Sequence, residues 1–302
     1  MFNSKIRFGI DLGGTKIEIV ALDDKGNDVY RKRTPTPQGN YQETLNCIFN
    51  LVINAESELD MAGSVGICTP GAISPSSGLL RNSNSTCLNQ KPFLEDIQSL
   101  LQREVRIAND ANCFALSEAN DGNAQDSNIV FGVIVGTGCG GGIVINKALI
   151  DGPNAITGEW GHNPLPYADA NESNRQCWCG KLACIETFLS GSGLTHDYFD
   201  HTGIKKTCEK ITQDALNQHS DAINCLQRYE DRMARSLALV INLLDPHTIV
   251  LGGGMSNITQ LYKNIPKLWK KYIFSDSVST KLVPPMYGDS SGVRGAAWLW
   301  NS

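Results

Sequence analysis

No apolar run in these 302 residues approaches the roughly 20 that a membrane-spanning helix requires, which excludes a helical membrane protein. A basic surplus is missing too. The 26 Lys and Arg stand against 31 Asp and Glu, a net charge of −5, and this argues against a surface built mainly to hold nucleic acid or anionic lipid. No signal-peptide core precedes the glycine turn of MFNSKIRFGIDLGGTK, so a cytoplasmic protein is expected. Nor is there a disulfide framework: Cys47, Cys68, Cys87, Cys113, Cys139, Cys208 and Cys225 are scattered in apolar or helical contexts, as reduced, buried thiols are. The phosphate-binding pattern G-x-x-x-x-G-K-[ST] is absent as well. What remains is a chain that is 41% hydrophobic, long enough for two compact domains and suited to small-molecule partners.

The remaining three cysteines are clustered. The stretch EWGHNPLPYADANESNRQCWCGKLACIE, residues 159–186, carries Cys177, Cys179 and Cys184, with His162 upstream across a polar loop and a carboxylate at each end, Glu159 and Glu186. One Cys3His set can be drawn for a tetrahedral zinc ion. A catalytic zinc usually keeps three protein ligands and an open position, whereas four ligands leave none, which favours a structural ion over a hydrolase's metal.

Glycine-rich junctions recur three times. Ile6–Leu12 and Lys16–Leu22 read as strands joined by Gly13-Gly14-Thr15, with Asp11 at the end of the first strand. Ile129–Val135 leads through GTGCGGG, with Gly136, Thr137 and Gly138, into a second β-branched strand. The spacing matches G-x-G-x-x-G, but the helix that a dinucleotide fingerprint requires is replaced by a strand. HTIVLGGGM ends a third strand at Gly252, Gly253 and Gly254. Amides at such turns can close on a phosphate because no side chain blocks the approach, and three of them suggest one nucleotide held from several sides. Taken singly, each is also an ordinary hairpin turn.

Apolar spacing predicts helices over residues 41–58, 94–101, 182–189, 215–244 and 261–272, and a capped terminal helix over 289–300. The loop TPGAISPSSG leads into RNSNST, where Asn82 and Asn84 can bond a polyhydroxyl ligand or serve as plain loop residues. Asp110 falls between the short strand VRIAN and a helix. It is placed to cap that helix, and equally to project where ligands sit in α/β proteins, outside the carboxyl end of a strand.

Taken together, GIDLGGTK, NDAN at 109–112, GTGCGGG, EWGHNPL and CWCGKLACIE, in that order over nearly the whole chain, resemble the ROK family of sugar kinases. TPGAISP, NSNST, ANDANC, GEWGHNPLP, VLGGGMSN and GDSSGVRGAAWLW are similar to its bacterial manno(fructo)kinase branch. The resemblance implies an α/β, actin-like ATPase (ribonuclease H-like) fold: an N-terminal domain over 1–118, a C-terminal domain with a structural zinc site over 119–288, and a terminal helix over 289–302 packed back on the first. ATP and sugar would meet in a cleft between the domains, and the molecule would be a homodimer. Asp110 would be the catalytic base. Asn84, Asn109, Glu159, His162 and Glu186 would bind the sugar. Asp11, Gly13, Gly14, Thr15, Lys16, Gly136, Thr137, Gly138 and Gly252 to Gly254 would serve ATP and Mg²⁺. His162, Cys177, Cys179 and Cys184 would be the zinc ligands. One departure is visible: the family often has Gly before the third cysteine, where this chain has Ala183.

Phosphoryl transfer needs positioning, charge neutralisation and a base for the hydroxyl proton, and these residues offer each. The expected reaction is transfer from ATP to the 6-hydroxyl of D-fructose or D-mannose, with glucose or an N-acetylated hexosamine as the alternative acceptor. A sugar-responsive transcriptional regulator of the same family is the alternative of another class. Such regulators carry an added DNA-binding module, for which this chain, with a first strand near Ile6, leaves no room.

Overall fold

A computed structural model describes residues 6–83 and 85–301. The chain opens with β1 (Ile6–Leu12), β2 (Lys16–Leu22), β3 (Asp28–Pro35), α1 (Tyr41–Leu59), β4 (Gly63–Thr69), β5 (Ala72–Ile73), β6 (Leu80–Arg81), α2 (Phe93–Leu101), β7 (Val105–Asn109) and α3 (Asp110–Asn120). It continues with β8 (Ile129–Val135), β9 (Cys139–Ile145), β10 (Ala148–Leu149), α4 (Glu186–Leu189), α5 (Gly191–Thr202), α6 (Cys208–Leu216) and α7 (Ser220–Leu244). β11 (Thr248–Gly252), α8 (Leu261–Leu268), β12 (Lys281–Val283) and α9 (Ser291–Trp298) complete it. Among the described residues no helix is long and apolar enough to cross a membrane. Two compact units emerge: one runs through Asp126 and takes in Gly142–Thr157 and the segment from Met286 onward, the other comprises Ser127–Gly141 and Gly158–Pro285.

The first unit is built on a sheet ordered β3-β2-β1-β4-β7, antiparallel from β3 to β1 and parallel from β1 to β7. Side chains alternate across a strand, so β1 sorts its residues between two layers. Ile6, Phe8, Ile10 and Leu12 enter one core with Leu45, Ile48 and Val52 of α1 and Phe93 and Ile97 of α2. Arg7, Gly9 and Asp11 face the opposite way, toward α9. A Cβ on Gly66 of β4 would lie 1.9 Å from the Ala296 carbonyl oxygen, so α9 seats on this sheet only because the strand offers bare backbone there. The helix is then tied down by polar groups. Arg294 bonds Asp121, Asp28 and the Gly26 carbonyl, Ser291 Oγ donates to Glu118 Oε1 at 3.0 Å, and Trp298 Nε1 donates to Asp121 Oδ2 at 2.9 Å. This layer carries Asp11 to the end of β1, beside the start of α9.

In the second unit β8, β11 and β12 are successive parallel neighbours. The long α7 buries Leu226, Met233 and Leu237, but it also buries Arg232 and Arg235. Arg232 reaches Glu172 and Asp197 at 2.7 and 2.6 Å, and Arg235 reaches Glu172 at 2.9 Å. These pairs fasten the loop that carries the cysteines to α5 and α7.

Several helices are shorter than their apolar spacing predicts. Of residues 182–189 only Glu186–Leu189 is helical, because Leu182 bridges to Gln176 and Ala183 turns at φ 54°. The helix expected over 215–244 breaks where Gln218 adopts φ 64°, dividing it between α6 and α7. The one expected over 261–272 ends as α8 at Leu268 and continues only as a tighter turn. β3, β12 and α5 had no clear apolar pattern: β3 reads DVYRKRTP and is mostly exposed.

Candidate active site

Two functional groups stand at strand ends in the first unit. β7 ends at Asn109 and α3 begins at Asp110, so the helix cap is Asn109 rather than Asp110 as its position suggested. Asn109 Oδ1 accepts the Asn112 N–H at 2.7 Å, which leaves its Nδ2 donors for another partner. Asp110, freed from the capping role, accepts the Ala111 N–H at 2.8 Å through Oδ1. Its side chain is open to water yet crowded by protein, and the resulting desolvation pushes its carboxyl above the usual range despite the backbone hydrogen bonds. Asp11 is pushed up to about 6, chiefly by burial, with the charges of Glu18 and Asp110 adding to the rise against a hydrogen bond from Cys68.

The turn beyond Asp11 is closed by Gly13 N–H to Lys16 O at 3.0 Å. Its carbonyls are taken by Thr36 Oγ1, 2.7 Å from Gly13 O, and Gln38 Nε2, 2.6 Å from Gly14 O. Gly14, Thr15 and Lys16 are exposed, and a Cβ on Gly14 would meet nothing nearer than Ser85 Oγ at 4.0 Å. That open backbone fits the approach of a phosphate. Asn84 lies outside the described residues.

In the second unit the turn from β8 to β9 closes by Gly136 N–H to Gly138 O at 3.0 Å, and Gly136 O accepts the Gly191 N–H of α5 at 2.8 Å. The third glycine junction comes to the same place: a Cβ on Gly136 would stand 3.9 Å from Gly254 N. Two of the three junctions are therefore neighbours within one unit, with Thr137 on the turn between Gly136 and Gly138.

Glu186 opens α4 and turns back to that β8–β9 turn. Its Oε2 accepts the Cys139 N–H at 2.9 Å, and a Cβ on Gly138 would lie 2.7 Å from the same oxygen. A side chain at position 138 would therefore push the carboxylate from its present place beside that amide. Glu159 is exposed, on a turn held by buried Trp160, whose Nε1 donates to Gly140 O at 3.0 Å and whose ring meets Phe131 edge-on at 5.7 Å.

His162, Cys177, Cys179 and Cys184 converge, with one ligand atom from each lying within 4.8 Å of all the others. Cys177 Sγ is 3.7 Å from His162 Nδ1, and Cys179 Sγ is 3.6 Å from Cys184 Sγ. Tetrahedral zinc with Zn–S bonds of about 2.3 Å sets its sulfurs about 3.8 Å apart, so the donor set fits the ion. With Nδ1 facing the cluster, His162 keeps Nε2 for another partner. Paired backbone contacts hold the loop: Leu165 N–H to Ala183 O and Ala183 N–H to Arg175 O, both at 2.7 Å.

Two features of this unit were not anticipated from the sequence. Trp178, between Cys177 and Cys179, donates its indole N–H to Glu186 Oε1 at 2.6 Å. The carboxylates of Glu172 and Asp197 are buried among arginines. Burial pushes both carboxyls up, but Arg235 and Arg232 on Glu172, and Arg228 and Arg232 on Asp197, hold them below the usual range. The spacing of Arg228, Arg232 and Arg235 along one helical side was the available clue.

The sequence profile of the ROK family matches residues 7–302. The chain is 38% identical to the N-acetyl-D-glucosamine kinase of Pasteurella multocida over 98% of its own length and all of that protein, and 39% identical to that of Pectobacterium atrosepticum over 97% and 98%. Its fold is similar to the crystal structure of the ROK hexokinase from Thermus thermophilus, with a TM-score of 0.87, 24% identity and 97% of each chain covered. The mixed sheets agree with an actin-like ATPase fold.

Proposed function

The chain belongs to the ROK family, and from that premise we propose that it is an ATP-dependent sugar kinase that phosphorylates the 6-hydroxyl of a hexose, D-fructose and D-mannose first. The observation that carries the reading is Asp110. It stands at the carboxyl end of a parallel strand, free of the capping duty that Asn109 performs, open to a substrate and with a carboxyl that desolvation makes more basic than usual. In the proposed reaction the hydroxyl oxygen attacks the γ-phosphorus of ATP, its proton passes to Asp110, and ADP leaves. Asn109 donates to a sugar hydroxyl through Nδ2, Glu159 and Glu186 accept from hydroxyls, and His162 meets one through Nε2. Asn84 is assigned to the same sugar.

Asp11, with Lys16 and the amides at Gly13, Gly14 and Thr15, is assigned to the phosphates, and Gly136 to Gly138 and Gly252 to Gly254 to the remainder of the nucleotide. Mg²⁺ would be held through Asp11, whose half-buried carboxylate lacks a cationic side chain bonded to it among the described residues, and would neutralise charge on the phosphates. Zn²⁺ would be held by His162, Cys177, Cys179 and Cys184 and would stiffen the wall that presents His162 and Glu186. The domain boundaries expected above and a homodimer complete the proposal. Sedimentation velocity tests the last, a single species of monomer mass refuting it.

The resemblance of TPGAISP, NSNST and GEWGHNPLP to the manno(fructo)kinase branch supports fructose and mannose. The names of the relatives at 38% and 39% identity favour a second reading, N-acetyl-D-glucosamine. Initial rates with ATP and Mg²⁺ on fructose, mannose, glucose, N-acetylglucosamine and N-acetylmannosamine, compared as kcat/KM, decide between them. The first reading expects fructose or mannose to lead, and a lead for N-acetylglucosamine replaces it with the second.

A further inference from the structure

Trp178 is a large aromatic residue that is 76% exposed, yet it is tied to its neighbours. Burial does not explain this, since most of the ring remains in water. Two contacts do. The indole Nε1–H donates to Glu186 Oε1 at 2.6 Å, and the ring meets His162 edge-on with centroids 5.1 Å apart and planes at 84°. Its backbone is fixed on both sides by Cys177 and Cys179 of the clustered donor set.

The consequence falls on Glu186. Oε2 already accepts the Cys139 N–H at 2.9 Å. With the indole on Oε1, each carboxylate oxygen carries one N–H from a different element, and the group can no longer rotate about its terminal bond. A carboxylate oxygen accepts more than one hydrogen bond, so each keeps capacity for a hydroxyl in a fixed direction. An indole N–H is a donor only, which suits an ionised carboxylate and leaves no competing acceptor beside it.

We propose that Trp178 is a positioning residue for the sugar, orienting the Glu186 carboxylate through its indole N–H so that Glu186 meets substrate hydroxyls in one geometry. The inference rests on the assignment of Glu186 to the sugar. Losing the N–H frees the carboxylate to swing about its single remaining tether, and sugar binding weakens while the nucleotide's does not.

Steady-state kinetics with D-fructose and with N-acetyl-D-glucosamine on Trp178→Phe, Trp178→His, Glu186→Gln and the Trp178→Phe/Glu186→Gln double variant test this. Trp178→Phe keeps the ring and its edge contact while deleting the donor, and at such an exposed position it leaves no core cavity. Its melting temperature should match that of the parent. The sugar KM should rise roughly tenfold, as expected for one hydrogen bond to a charged group, with a smaller change in kcat and none in the KM for ATP. Trp178→His, which keeps a ring N–H, should recover part of the loss. The double variant should be no worse than Glu186→Gln alone, because the two act through one carboxylate. An unchanged sugar KM in Trp178→Phe while Glu186→Gln is impaired, or fully additive losses in the double variant, overturns the role of Trp178 and leaves that of Glu186 standing. An unchanged sugar KM in Glu186→Gln removes Glu186 from the sugar site and takes the inference with it.

Discussion

The Cys179 and Cys184 sulfurs lie 3.6 Å apart, too far for a bond and close to the edge of a zinc tetrahedron. Cys177 and His162 Nδ1 form the opposite edge at 3.7 Å. Cys179→Ser should lower bound zinc from one per chain toward none and lower the melting temperature by at least about 5 °C, since a structural ion contributes folding free energy directly. Elemental analysis with parallel calorimetry checks both. A stable, zinc-free variant with a normal sugar KM would contradict the assignment of a stiffening ion.

Ala183 adopts φ 54°, a left-handed conformation in which a side chain costs roughly 1 kcal/mol relative to glycine. Ala183→Gly should therefore be neutral to stabilising by up to about 1 kcal/mol in urea denaturation, which is unusual for a glycine substitution. A clear loss of stability would mean that the Cβ packs usefully on the cluster loop.

Glu172 receives Arg232 Nε at 2.7 Å and Arg235 at 2.9 Å with almost no access to water. Glu172→Gln leaves those cations underpaired and should cost about 3 kcal/mol at neutral pH. Glu172 and Asp197 have depressed folded values, so their contribution is present above the unfolded carboxylate pKa near ~4 and is lost as pH falls through the lower folded ones. The gap between parent and variant should thus be constant from pH 6 to 8 and narrow below about pH 4. Denaturant midpoints across that range give the answer, and a gap that widens in acid would refute the sign.

Catalysis should titrate elsewhere. Asp110 and Asp11 are both raised, Asp11 to about 6, and the proposed chemistry uses both in the ionised form. A raised carboxyl stays protonated to higher pH, so kcat/KM should fall on the acid side near pH 6 rather than near 4. Because the two charges interact, the limb belongs to the pair. A rate profile flat down to pH 5 would contradict the proposed use of the two carboxylates.

Much of the candidate site could be proposed from the sequence because its residues are placed by local rules. Asp11 and the Asn109-Asp110 pair stand at strand ends, and the glycine turns and the spaced cysteines announce themselves within a few residues. The cap was displaced by one position because NDAN offers two adjacent residues able to cap, and only packing chooses Asn109. What could not be read depends on distant partners. Trp178 finds Glu186 only after the cluster loop has folded, and Arg232 and Arg235 look like the solvated side of α7 until Glu172, about 60 residues earlier, closes over them. The mostly exposed, charged β3 had no apolar alternation to announce it, and it joins the sheet by pairing along β2.

The central claim is that Asp110 takes the proton of the attacking hydroxyl. Asp110→Asn preserves shape and removes the base, so turnover in a coupled ADP-release assay, on a protein with unchanged melting behaviour, should fall by about 100-fold or more, with little change in the KM for ATP. Near-normal turnover in that variant would contradict the account.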